Sequence, residues 1–204
     1  MTAHGFADEA VAHLDATTRT MARLTDEVDR IGRWGRRLAD VLVNGGRLLV
    51  AGNGGSAAHA QHLTSELVGR YRDERTPLSA IALHGETSTV TAVLNDYGAE
   101  HVFARQVRAH GRPGDVFLAL STSGRSPNLL VAADTAHEVG LHVWALTGIS
   151  PCPLATHADD ALCVDAPTTA IVQEVHQVVV HLLCEAIEAA MTRRAVPLAV
   201  ARRA

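Results

Sequence analysis

Apolar residues recur at spacings of three and four along FADEAVAHLDATTRTMARLTDEVDRIGRWGRRLADVLVNGG, residues 6 to 46, with charged residues between them. That period predicts amphipathic helix from 6 to 44, in two pieces, and the Asn-Gly-Gly at 44 to 46 ends it. The period then changes. RLLVAG (47 to 52) is a short unbroken apolar run flanked by glycines, as expected of a strand buried on both faces. GSAAHAQHLTSELVGRY returns to helical spacing. Further strands are expected at 78 to 84, 114 to 121, 141 to 148 and 160 to 166. Helices are expected over EHVFARQVRAHG, after STSGRS, and from 168 to 194, whereas 87 to 98 reads as a short helix or a loop. Strands that alternate with helices predict an α/β fold, a doubly wound parallel five-stranded sheet flanked by helices. The expected organisation is an N-terminal helical oligomerisation segment, 1–45, and a single α/β domain, 46–204.

Ligands of such sheets bind beyond the carboxyl ends of the strands, where the strand order reverses. The glycine/serine loops at 52 to 56 and 121 to 126 each follow an expected strand and open an expected helix, which puts them at that edge.

Composition narrows the ligand. The 204 residues are 47% hydrophobic and 20% charged, ordinary for a globular chain, and the 3% aromatic content leaves the core to Ala, Val and Leu. A net charge of −4 provides no global field for nucleic acid or an anionic membrane, so neither is expected as a partner. An anionic ligand must therefore be captured by local donors. Cys152, Cys163 and Cys184 form no CxxC pair and read as reduced core thiols, consistent with a cytoplasmic protein. The acidic N-terminus lacks a signal-peptide pattern, and no apolar run is expected to be long enough to span a bilayer.

The candidate chemistry lies in three stretches. STSGRS offers Ser121, Thr122, Ser123 and Ser126 ahead of a helix N-terminus, where backbone N–H groups and the helix dipole favour an anion. Alone it reads equally well as a serine-rich turn and cap. GNGGS is a second such loop; neither a P-loop nor a GxGxxG motif is present, so no nucleotide cofactor is expected. His62 and Glu66 are four residues apart on one helix face, with His59 nearby. Gln173, Gln177 and His181 are also spaced by fours, with His176 between, inside a very apolar helix. A histidine there needs a partner. Carboxylate and imidazole facing one carbon skeleton can move protons, and with a phosphate cradle the substrate becomes a sugar phosphate.

The stretches GNGGSAAHAQHLTSELVGRY, LNDYG, LSTSGRS and QEVHQVVVH together resemble the SIS (sugar isomerase) domain family, most of all the branch that isomerises sedoheptulose 7-phosphate. The resemblance implies a homotetramer with active sites at subunit contacts and isomerisation of a phosphorylated heptose through an enediol. It implies Glu66 as general base and His181 as general acid. Asn53, Gly54, Gly55, Ser56, Asp96, Ser121, Thr122, Ser123, Ser126 and Gln173 would bind substrate. His62, Glu66, Gln173 and His181 match positions that hold zinc in some members; a glutamine ligand is unusual, so partial occupancy is expected. Two positions depart from the pattern: Arg125 stands where Asn is common, and Ala170 where an acidic residue is usual. The rival readings are an adaptor that binds the replication initiator protein, which needs neither acid nor base, and an isomerase for another sugar phosphate.

Overall fold

Strand β1 (Leu48–Gly52) is buried at every position and lies between two parallel neighbours, which explains its unbroken apolar sequence. In the computed structural model the backbone is described for residues 3–201 and side chains for residues 5–193. The five parallel strands are ordered β2-β1-β3-β4-β5, with β2 (Ala80–Ala82), β3 (Val116–Ser121), β4 (His142–Thr147) and β5 (Asp160–Cys163). Side chains alternate between two cores, because successive residues of a strand point to opposite faces. Leu48, Val50, Leu118, Leu120, Trp144 and Leu146 face one core; Leu49, Ala51, Phe117, Ala119, Val143 and Ala145 face the other.

The first core is covered by α2 (Val28–Val43), α3 (Gly55–Val68) and α8 (Thr169–Ala201). Helix α2 buries Ile31, Trp34, Leu38 and Leu42, the stripe that its spacing of three and four creates. Trp34 stacks on Trp144 at 4.8 Å and donates its indole N–H to Asp160 at 2.8 Å. The second core is covered by α4 (Thr87–Tyr97), α5 (Val102–His110) and α6 (Pro127–Val139), with the short α7 (Pro153–His157) at its edge. Helix α1 (Ala3–Ala22) precedes α2 through a 3-10 turn (Arg23–Glu27), giving the two expected pieces. It is fastened to α8 where His13 and Thr17 both bond the Glu174 carboxylate, at 2.8 and 2.9 Å. Its residues Phe6, Val11 and Leu14 remain exposed.

Some expectations change. Residues 87 to 98 form a helix, despite several β-branched residues, because the Glu86 carboxylate caps it by accepting from the Ser88 and Thr89 amides at 3.1 and 2.6 Å. Strand β2 is shorter than expected, as befits an edge strand paired on one side. Helix α7 was not anticipated: its five residues are too few to carry a period. The expectation that no apolar run could span a bilayer is corrected by Thr169–Arg193, 25 residues whose most apolar 18-residue window has mean hydropathy 1.3, long and apolar enough by length and composition. In the fold this stretch is a core helix, placing Val175, Val179, Leu183 and Ile187 against the sheet side of the first core.

Candidate active site

The strand order reverses between β1 and β3, since the chain steps from β1 outward to β2 and returns through β3 on the other side. The two glycine/serine loops leave the carboxyl ends of these two strands. Gly52 pairs with Leu120 and so holds the loops side by side.

Each loop feeds a helix that lacks a side-chain cap. At α3 the N-cap is Gly54, with φ +56°, a left-handed conformation that glycine adopts without strain. At α6 the N-cap is Ser126, followed by Pro127, and no side chain bonds the first amides. This contrasts with α4, capped by Glu86: the first amides of α3 and α6 at the switch point have no side-chain acceptor among the described residues. A Cβ on Gly52 would lie 2.6 Å from the Ser56 carbonyl carbon, so glycine there lets α3 start hard against the strand end.

The hydroxyls line this edge. Ser121 is buried, and its Oγ accepts from the Gly124 amide at 3.1 Å and lies 3.4 Å from the Ser126 Oγ. Ser123 Oγ accepts from the Arg125 amide at 3.3 Å. Ser56 is buried at the first turn of α3, and Thr122 is half-buried in the loop. Asn53 and Asn128 exchange side-chain amide hydrogen bonds at 3.0 and 2.9 Å and so bridge the loops. A cleft of about 460 Å³ opens beside them, lined by Asn53, Gly98, Glu100, Ser126, Pro127 and Asn128. Asp96 is exposed near the end of α4, and the Asn95 side chain donates to it at 2.8 Å. Its neighbour Gly98 reaches the cleft, whereas Asp96 itself does not line it.

Helices α3 and α8 run side by side in the same direction. Gly55 faces Gln173, and His62 faces His181 seven and eight residues further along. A Cβ at Gly55 would sit 2.5 Å from the Gln173 amide nitrogen, so glycine lets that side chain lie against the helix start. Further along, His62 Nε2 lies 3.0 Å from His181 Nε2 and 3.3 Å from Glu66 Oε1. One candidate ligand atom from each of His62, Glu66 and His181 lies within 4.8 Å of the others. Two imidazoles and a carboxylate suit a transition metal, and three protein ligands with an open position are the pattern of catalytic zinc. The donor set therefore fits the ion, with His62, Glu66 and His181 to hold it. Gln173 does not join this cluster through any hydrogen bond among the described residues. Gln177 does, its amide nitrogen 3.3 Å from His181 Nε2.

Behind the cluster the histidines are kept neutral. His176 is fully buried, donates from Nε2 to the Thr147 carbonyl at 3.0 Å, and is pushed down to about 4 by burial. His59 is also lowered, first by burial and then by the neighbouring His62. Two contributors escaped the sequence reading: Asn128, and Tyr71, whose ring centre is 5.8 Å from that of His181. Gln177 was marked out by its spacing of four from His181, without an assigned role. Arg125 is exposed in the serine loop, and Ala170 is exposed in the first turn of α8.

Such a fold and site, glycine/serine loops at a switch point with a carboxylate and two imidazoles further along α3 and α8, are those of a phosphosugar domain of the isomerising kind. The SIS domain family matches residues 12–148. The chain is 60% identical over 183 residues to the phosphoheptose isomerase of Streptomyces coelicolor, covering 90% of this chain and 79% of that one. It is 46% identical over 185 residues to that of Thiobacillus denitrificans, covering 89% and 94%. Among solved structures, the phosphoheptose isomerase of Neisseria gonorrhoeae superposes with a TM-score of 0.83 at 39% identity, covering 90% of this chain and 99% of that one. The chain belongs to the SIS domain family and, within it, to the phosphoheptose isomerases.

Proposed function

We propose that this chain interconverts sedoheptulose 7-phosphate and D-glycero-D-manno-heptose 7-phosphate. The observation that carries the reading is the convergence of His62, Glu66 and His181, two to three turns along α3 from its uncapped N-terminus. The phosphate binds at the serine loop and the helix ends, where hydroxyls and backbone amides are the local donors. Asn53, held by Asn128, meets the sugar hydroxyls.

The Glu66 carboxylate removes a proton from C1, next to the C2 carbonyl. His181 gives a proton to O2, and the 1,2-enediol results. O1–H then returns a proton to His181 as Glu66 delivers one to C2, which leaves the aldose and restores both groups. His62, Glu66 and His181 would hold zinc in place of this proton transfer, since an atom bound to the metal cannot also carry the proton, and the ion would supply Lewis-acid polarisation of the substrate oxygens; Gln173, which the family resemblance adds as a fourth ligand, lies against Gly55. The working unit is a homotetramer in the cytoplasm. The exposed apolar residues of α1 support the assembly.

Replacement tests the proton transfers. Glu66→Gln keeps side-chain shape, and His181→Gln keeps a polar group at a half-buried position, so both variants should fold. Each loses about 10² to 10⁴ in kcat, the usual worth of a positioned proton-transfer group. Deuterium exchange from solvent into substrate stops in Glu66→Gln. Near wild-type turnover by Glu66→Gln would sink the mechanism and place the base elsewhere, whereas no turnover by the wild-type protein would bring forward the adaptor reading. Full activity after chelation would leave these residues to proton transfer alone.

A further inference from the structure

The segment 69–76, between α3 and β2, folds back over the carboxyl end of α3 and is fastened to α8. Arg75 makes the tightest fastening. Its Nη2 donates to the Glu66 carbonyl at 2.6 Å, and its Nη1 donates to the Leu67 and Thr76 carbonyls at 2.9 and 3.2 Å. A guanidinium on the last carbonyls of a helix satisfies orphan acceptors and opposes the helix dipole. The same group lies against Glu188 of α8, Nε to Oε1 3.7 Å, with only 9% of the Arg75 side chain exposed. Glu188 is seven residues beyond His181, two helical turns along one face.

A single buried cation therefore bonds the backbone of Glu66 and pairs with the helix that carries His181. Arg72 adds a second tie, donating to Glu185 at 2.7 Å through Nη1 and to Glu188 at 3.3 Å through its backbone amide. It also lies over the Tyr71 ring, which in turn packs beside His181. The Cys184 thiol between the helices is held protonated, pushed up to about 12 by burial and then by Glu66, with Glu188 adding and Arg75 opposing. Arg75 thus spans the seam between the two helices, bonded to the Glu66 carbonyl on one side and facing the Glu188 carboxylate on the other.

We propose that Arg75 is a positioning residue for the proton-transfer pair: it locks the last turn of α3 to α8 and so sets where Glu66 stands relative to His181. The proposal rests on the isomerase reading above. A lysine replaces the charge but cannot bond two carbonyls and face Glu188 at once.

The test uses Arg75→Met, Arg75→Lys and Glu188→Gln in the intact protein, at a temperature where each is folded. Two readouts are taken: kcat and KM for sedoheptulose 7-phosphate, and the imidazole ¹H–¹⁵N signals of His62 and His181. Arg75→Met should lower kcat by ~10- to 100-fold, as misplacement of a catalytic group by about an ångström does, with KM within about twofold. Its His181 signals should move. Arg75→Lys should recover part of kcat, and Glu188→Gln should lie between Arg75→Met and wild type. A lower melting temperature with kcat and imidazole signals unchanged would make Arg75 merely structural and overturn the proposal. If Arg75→Met does not fold, Glu188→Gln decides by the same readouts, and unchanged signals and kcat there also overturn it. If the wild-type protein fails to turn over the heptose phosphate, the isomerase reading falls; the imidazole signals then judge the positioning by themselves.

Discussion

His176 has no contact with solvent and a single hydrogen bond, to the Thr147 carbonyl, so its imidazole must fold neutral. The sign of the pH effect follows. It titrates near 4 when folded and near 6.5 when unfolded, so below pH 6.5 the unfolded chain binds the extra proton. The stability present above pH 6.5 is therefore lost as pH falls toward 4, at about 1.4 kcal/mol per unit. His59 and His84, both lowered by burial, act in the same direction. His176→Gln cannot titrate, so between pH 7 and pH 5 its Tm should fall less than that of wild type, by about 4–8 °C for ~2 kcal/mol. Equal falls would mean that His176 is charged in the folded protein. At this scale the sequence was informative where a period carried chemistry. His62 with Glu66, and Gln177 with His181, are spaced by four and were legible as faces of helices. Tyr71, Arg75 and Asn128 were not, because each works through a partner distant in the chain: His181, Glu188 and Asn53.

Between elements, the approach of α2 to α8 sets how close the cover of the first core can come. Gly35 is the contact point: a Cβ there would lie 2.8 Å from the Ala186 carbonyl carbon. Gly32, one turn earlier on α2, meets only the end of the Arg36 side chain at 3.4 Å. The two alanine variants should therefore move stability in opposite directions. Gly32→Ala should gain up to about 1 kcal/mol of helix propensity. Gly35→Ala gains the same propensity but forces the helices apart, and overpacking costs about 1–3 kcal/mol, so it should lose stability overall. Denaturant melts of the pair decide it, and equal shifts would mean that α2 and α8 are more loosely packed than this contact implies. The five strands were legible in the sequence because a sheet buried on both faces demands uninterrupted apolar runs. The character of 87 to 98 was not, since Thr and Val favour strands and the cap from Glu86 that settles the helix is a single side chain. Helix α7 escaped because one turn has no period to detect.

For the molecule as a whole, α1 offers Phe6, Val11 and Leu14 to solvent while it is tied to α8 beside Gln173 through Glu174. The proposed tetramer would cover that face, and light scattering should return about 86 kDa, four times the 21.6 kDa chain. A mass near 21.6 kDa at micromolar concentration would refute it. The order of the elements has a further consequence, for biosynthesis. Helix α8 follows all five strands, yet it supplies Val172, Val175, Val179, Leu183 and Ile187 to the first core and His181 to the site. While the polypeptide is emerging from the ribosome, the whole sheet is translated before the helix that completes one of its sides. During that interval the nascent chain bears a greasy, half-dressed surface, and neither a finished interior nor a working catalyst exists until the last long helix has been delivered.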